Sequence, residues 1–195
     1  MYDGLEFILK ELNHPLMRPI KKYRYDVRGW GHCYALNFLC HLRLKNKMSD
    51  YSERVEAAIK SLVSCLIQEQ FGDGGWNYAG KPQSAFVTAC VLQALLIAKS
   101  QQENIPDQVF QQGAKVLSDS RVGEFAFAYK GTSAAKRSKG FDSVPGSIAR
   151  APVVEVTLFL LGKGSQENLS KCVELFHEHW EELEKRRKKT GTHVG

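Results

Sequence analysis

Three segments of the chain, YALNFLCHLRL (34–44), SAFVTACVLQALLIA (84–98) and IARAPVVEVTLFLL (148–161), are apolar nearly all round a helical wheel. A helix without a polar face has to be surrounded by other protein, so each segment must be packed on several sides. The stretches between them differ. Residues 52–69 place Val55, Ile59, Leu62, Val63, Leu66 and Ile67 on one stripe, with Asp50 and Glu53 spaced as a capping box. Residues 107–118 repeat the one-sided pattern through Val109, Phe110, Val116 and Leu117, with Pro106 suited to the first helical turn. Residues 166–184 do so through Leu169, Cys172, Val173, Phe176, Trp180 and Leu183, and Leu5, Ile8, Leu9 and Leu12 open the chain in the same way. Strand signals are scarce. An ordinary bundle would give every helix a similar stripe, whereas this alternation predicts an all-α fold of about seven helices, an inner ring wrapped by an outer one.

Each all-apolar segment follows a stretch rich in glycine and aromatic residues: RGWGHCY (28–34), FGDGGWNY (71–78) and VGEFAFAY (122–129). These read as corner loops. Tyr34-Ala35 and Thr88-Ala89 open equivalent stretches 54 positions apart. A period in this range predicts stacked helical hairpins, at about 31–70, 82–121 and 147–189, within a single domain spanning 1–195. The third corner runs on through YKGTSAAKRSKGFDSVPGS, a connection long enough to be functional or mobile.

A helix ending in glutamine, then Asp-Gly-Gly-aromatic, then an apolar helix is written here as SLVSCLIQEQFGDGGWNY followed by SAFVTACVLQALLIA. This pattern resembles the repeat of the prenyltransferase and squalene–hopene cyclase superfamily of α/α toroids, with Gln70 and Trp76 at the glutamine and tryptophan of the repeated motif. IPDQVFQQGAKVLSDSR fits the next hairpin, and GSIARAPVVEVTLFLLG a more divergent one. The resemblance spans 28–189 and is strongest over 60–121. It implies that the glutamine ties helix ends together and that the aromatic ring packs on a neighbouring repeat. The family's reactive signatures are missing: there is no Asp-x-Asp-Asp acid motif, no Asp-x-Cys zinc pair, no Cys-His-Gly and no Gly-Cys-Gly-Glu-Gln. The resemblance therefore implies a fold rather than a reaction. A closed ring of this kind needs more hairpins than the three read here, which predicts a partial or half toroid. Its exposed inner helices would call for a homodimer or for the missing half of a longer chain.

Charge narrows the partners. The chain carries +6, but Lys185, Arg186, Arg187, Lys188 and Lys189 supply five of these charges in one run. A second cluster, Lys130, Lys136, Arg137 and Lys139, lies in a basic loop at 130–139. Neither cluster has interleaved aromatic residues, so nucleic acid is not the expected partner. Five cysteines, each among apolar residues, read as buried thiols in a reducing, cytoplasmic setting. Cys33 and Cys40 would share a helix face, with His32 and His41 flanking it, so a two-thiol metal site is the alternative to core thiols. No apolar run is long enough to cross a bilayer, and no cofactor is expected.

Polar groups inside apolar helices cost free energy unless paired, which singles out His32, Asn37, Thr88, Gln93, Arg150 and Glu155. His32 and Glu155 are the candidates for acid–base chemistry, and Arg150 with Glu155 for a buried ion pair. Trp30, His32, Asp73, Trp76, Tyr78 and Arg150 are the candidate ligand-binding residues. If the corner loops gather on one rim, helix N-termini there offer an anion site, a prenyl diphosphate being one occupant. Two functions follow as expectations. One is binding of an isoprenoid or other apolar ligand; the other is a non-catalytic scaffold presenting the concave face or the basic loop to a protein.

Overall fold

The computed structural model describes residues 2–17, 26–46, 51–131 and 140–190. Among these residues the chain is mostly helical. α1 spans Tyr2–Glu11, α2 Arg28–Leu44, α3 Ser52–Glu69, α4 Ala85–Ser100, α5 Asp107–Asp119, α6 Val144–Ser147, α7 Ala151–Leu160, α8 Gln166–Glu178 and α9 Trp180–Thr190. No helix is long and apolar enough to cross a membrane among the described residues.

The apolar patterns decide the packing. α4 is packed on one side by α2 and on the other by α7, so these three helices form a row. α3 lies on α2 and also meets α4; α5 lies on α4 and also meets α7; α8 packs on α7, and α1 covers α3. The one-sided helices turn their stripes inward, with Val55, Ile59, Leu62 and Leu66 of α3 and Val109, Val116 and Leu117 of α5 all buried. In the row, α4 buries Ala85, Val87, Thr88, Ala89, Val91, Leu92, Ala94, Leu95 and Ala98, and Phe86, Cys90, Gln93 and Ile97 are partly buried along one edge, with Leu96 and Lys99 also short of full burial. Gly113 in α5 allows close approach, since a Cβ there would lie 2.8 Å from a Leu92 methyl. Each leucine buried in this way contributes roughly 1.5–3 kcal/mol.

Caps and turns follow their residues. Ser143 and Ser165 accept from the N–H groups of Gly146 and Asn168 at the starts of α6 and α8. Gly162, at φ +67°, ends α7, and Lys163 N–H reaches back to the Leu158 carbonyl as a helix C-terminus requires.

Several sequence expectations change. RGWGHCY is not a corner loop: α2 begins at Arg28, and the stretch forms its first turns. Gly29 and Gly31 serve close approach there, because added Cβ atoms would meet Glu69 at 3.4 Å and Met17 at 3.2 Å. VGEFAFAY folds as a two-stranded antiparallel hairpin, Arg121–Val122 (β1) with Ala126–Phe127 (β2), pairing Arg121 with Phe127 and Val122 with Ala126. The stripe at 166–184 is split at His179 into α8 and α9; Leu183 is buried, while Val173 and Trp180 are exposed. Asp50 of the expected capping box lies outside the described residues, and Tyr51, which precedes α3, makes no side-chain cap.

Candidate functional site

The corner between α3 and α4 shows how the sequence places the site. Phe71 N–H and the Gly75 carbonyl close a tight turn in which Gly74 and Gly75 take φ of +86° and +76°. No larger residue fits at Gly75, where a Cβ would come within 2.9 Å of Thr88 Oγ1. The turn drives Trp76 inward to 3 % exposure, and its indole N–H donates to the Leu66 carbonyl at 2.8 Å. Trp76 N–H donates to Thr88 Oγ1, and Gln70 Nε2 donates to the Val109 carbonyl at 3.0 Å, tying the end of α3 to α5. Asp73 stands exposed at the turn, its carboxylate 3.7 Å from the Lys81 ammonium.

Two residues after the buried indole, the chain reaches the surface with Tyr78. Its hydroxyl lies 2.5 Å from that of Tyr129, and this hydrogen bond, followed by burial, raises the Tyr78 phenol above its usual range. The two tyrosines belong to a run of rings across the N-terminal ends of the row. Tyr34 stacks on Trp30 with centroids 5.6 Å apart, Trp30 meets Phe86 at 5.7 Å, Phe86 stacks on Tyr129 at 5.7 Å, and Tyr129 meets Phe141 at 6.4 Å. Tyr78 sets its edge against Phe86 at 6.3 Å. Tyr34 and Phe141, at the two ends, are the exposed members, at 64 % and 65 %.

Below this rim an apolar face continues. Trp30, Tyr34 and Phe38 form its stripe on α2, Phe86, Cys90 and Ile97 on α4, and Val153 and Val156 on α7. Gln93 joins two of the stripes by donating from Nε2 to Thr157 Oγ1 at 2.8 Å and to the Val153 carbonyl at 3.3 Å.

The buried charges hold structure. Arg150, 4 % exposed, donates to the carbonyls of Phe127, Gly146 and Phe141 and sits 3.6 Å from Asp142. Asp142 accepts from Tyr129 N–H at 2.7 Å, and the guanidinium lies 5.5 Å from the Tyr129 ring centre, so Arg150 fixes the third portion of the rim. Glu155 does not pair with Arg150. Its carboxylate bonds Arg121 at 2.5 Å, because the β1–β2 hairpin brings Arg121 over α7; Oε2 has no hydrogen-bond partner among the described residues.

His32 is 1 % exposed, with Nδ1 2.9 Å from Glu69 and Nε2 2.9 Å from the Met17 carbonyl. A carbonyl only accepts, so Nε2 carries a hydrogen. Both ring nitrogens are committed, joining α2 to the end of α3 and to the turn at Pro15–Met17. His32, Met17, Ser61 and Cys65 border a cavity of about 200 Å³. This cavity is set apart from the aromatic rim: none of its lining residues is a rim residue.

Of the six ligand-binding candidates, the structure brings Trp30 and Tyr78 to the rim, with Arg150 beneath it. Trp76 and His32 are interior, and Asp73 pairs with Lys81. Sequence reasoning missed Tyr34, Phe86, Tyr129 and Phe141. Tyr34 and Phe86 lie in the first turns of α2 and α4, whereas Tyr129 and Phe141 reach the rim from the connection ahead of α7, so their grouping is visible only in the folded chain.

Burial pushes the Cys33 and Cys172 thiols up to about 12 and Cys40 to about 11, so all three are protonated core groups at neutral pH. Among the described residues no three His, Cys, Asp or Glu side chains group to hold a metal ion. Of the basic cluster, Lys130 is described, while Lys136, Arg137 and Lys139 lie outside the described residues. Comparison with protein-family models, with curated proteins and with solved structures finds no match to this chain.

Proposed function

We propose that the chain is a toroid-type repeat domain that binds an isoprenoid or other apolar ligand on the face of α2, α4 and α7. The inner ring is α2, α4 and α7, and the outer ring α3, α5 and α8. One observation carries the reading: the helices that are apolar all round keep one edge only partly buried, and a continuous run of aromatic rings crowns that edge. Apolar surface left in water is unfavourable, and a contiguous patch of it marks a place where something binds. Both nitrogens of His32 are committed to Glu69 and Met17, so this histidine serves structure rather than the ligand face.

Equilibrium dialysis of a neutral prenyl alcohol against the purified chain tests the reading. Saturable binding is expected, together with its loss in Phe86→Ala at unchanged far-UV circular dichroism. Binding that rises linearly with ligand, and is unaffected by Phe86→Ala, contradicts it.

A second reading is a protein-interaction scaffold, favoured by the openness of this face. Its aromatic rim is exposed at both ends. In that reading a half-ring is covered by a second copy or by the other half of a ring. Sedimentation showing a concentration-dependent dimer that Tyr34→Asp dissolves would favour it over a ligand site.

A further inference from the structure

We propose that the aromatic face selects an uncharged hydrocarbon chain and rejects organic cations; this rests on the ligand-binding reading above. An aromatic ring is electronegative on its faces and electropositive at its edges, so a cation needs a free face. Here the faces of the inner rings are largely spoken for. Trp30 lies between Tyr34, at an interplanar angle of 16°, and Phe86, at 31°. Phe86 lies between Trp30 and Tyr129, the latter at 29°, with Tyr78 edge-on beside it. Tyr129 already holds a protein cation, the Arg150 guanidinium. Trp30 and Phe86, with ring neighbours on both sides, therefore offer chiefly their edges, a positive fringe that suits C–H groups lying across it and opposes a positive charge.

Fixed charge points the same way, by an independent route. A cation moved out of water needs a carboxylate to receive it. Among the described residues, the acids beside the rim already have partners: Asp26, whose N–H donates to the Tyr78 carbonyl, bonds Arg28, and Asp142 sits beside Arg150. Glu155 is turned to Arg121 at full burial. Lys130 follows Tyr129 directly and adds a positive charge at the rim. The stripes below offer Phe38, Cys90, Ile97, Val153 and Val156, none of them charged.

The test compares two ligands of equal chain length, decanol and decyltrimethylammonium, by titration of the intact chain below micelle-forming concentrations, read from tryptophan fluorescence with Trp30→Phe as the control. Decanol is expected to bind at least about tenfold more tightly than the ammonium, the reverse of what accessible ring faces would give. Equal or tighter binding of the ammonium overturns the proposal while leaving a ligand site in place. Saturable binding of neither compound overturns the ligand-binding reading itself. Lys130→Glu separates the two arguments: if fixed charge contributes, it should narrow the gap without altering decanol binding, and if ring edges alone decide, the gap should remain. A variant that abolishes decanol binding as well would contradict the placement of the chain across the ring edges.

Discussion

Trp76 and Trp30 are both indoles beside glycines, yet their surroundings give them opposite roles. Trp76 is buried and bonded to the Leu66 carbonyl, whereas Trp30 is partly buried in a stack of rings. Trp76→Ala should lose about 3–5 kcal/mol in urea denaturation. Trp76→Phe should lose about 1–3 kcal/mol, because it leaves a buried carbonyl without its donor. Trp30→Phe keeps a ring in the stack and should cost under about 1.5 kcal/mol. The cysteines make a separate prediction. Cys33 and Cys172 are raised to about 12 and Cys40 to about 11, against an ordinary value of 9.0, so the unfolded chain loses these protons before the folded one does. Their contribution to stability is complete below pH 9 and declines as pH rises from there towards 12. Denaturation midpoints should therefore fall across that window, and Cys33, Cys40 and Cys172 should react with a thiol reagent at pH 8 only after unfolding.

At the scale of elements, the sequence was most legible where apolar spacing alone decides structure. The stripe from Val55 to Leu66 and the all-round pattern of 84–98 correspond to α3 and α4. Glycines misled the reading of 28–34, since the same residue type that opens a corner at Gly75 supports close helix approach at Gly29 and Gly31. The β1–β2 hairpin was hidden because two-residue strands carry no periodic signal, and Arg121 met Glu155 only through that fold. Corner chemistry can be tested directly. Gly75→Ala forces a side chain into positive φ against Thr88 Oγ1 and should cost at least about 1–2 kcal/mol. Gln70→Ala removes the tie from α3 to α5 and should cost about 1 kcal/mol. Thermal denaturation of the two variants checks both, and a Gly75→Ala protein as stable as the parent would remove the glycine's conformational role.

At the scale of the whole molecule, the row of α2, α4 and α7 explains why three helices lack a polar side, with one edge of each only partly buried. Trp30, between two glycines, and Tyr78, in the Asp-Gly-Gly corner, were singled out in the sequence and stand on the rim. Phe86 was not, because inside an all-apolar helix nothing in the sequence says which ring faces out. Tyr129 and Phe141 come together only through the carbonyls and the carboxylate that Arg150 gathers. The three tryptophans lie in three different settings: Trp30 on the rim, Trp76 in the core and Trp180 exposed at the start of α9. Their indole N–H resonances are built-in reporters for a titration with a neutral prenyl alcohol. The ligand face predicts that the Trp30 signal shifts and saturates while those of Trp76 and Trp180 hold still. A shift at Trp180 with Trp30 unmoved, or no saturable shift at all, would contradict it.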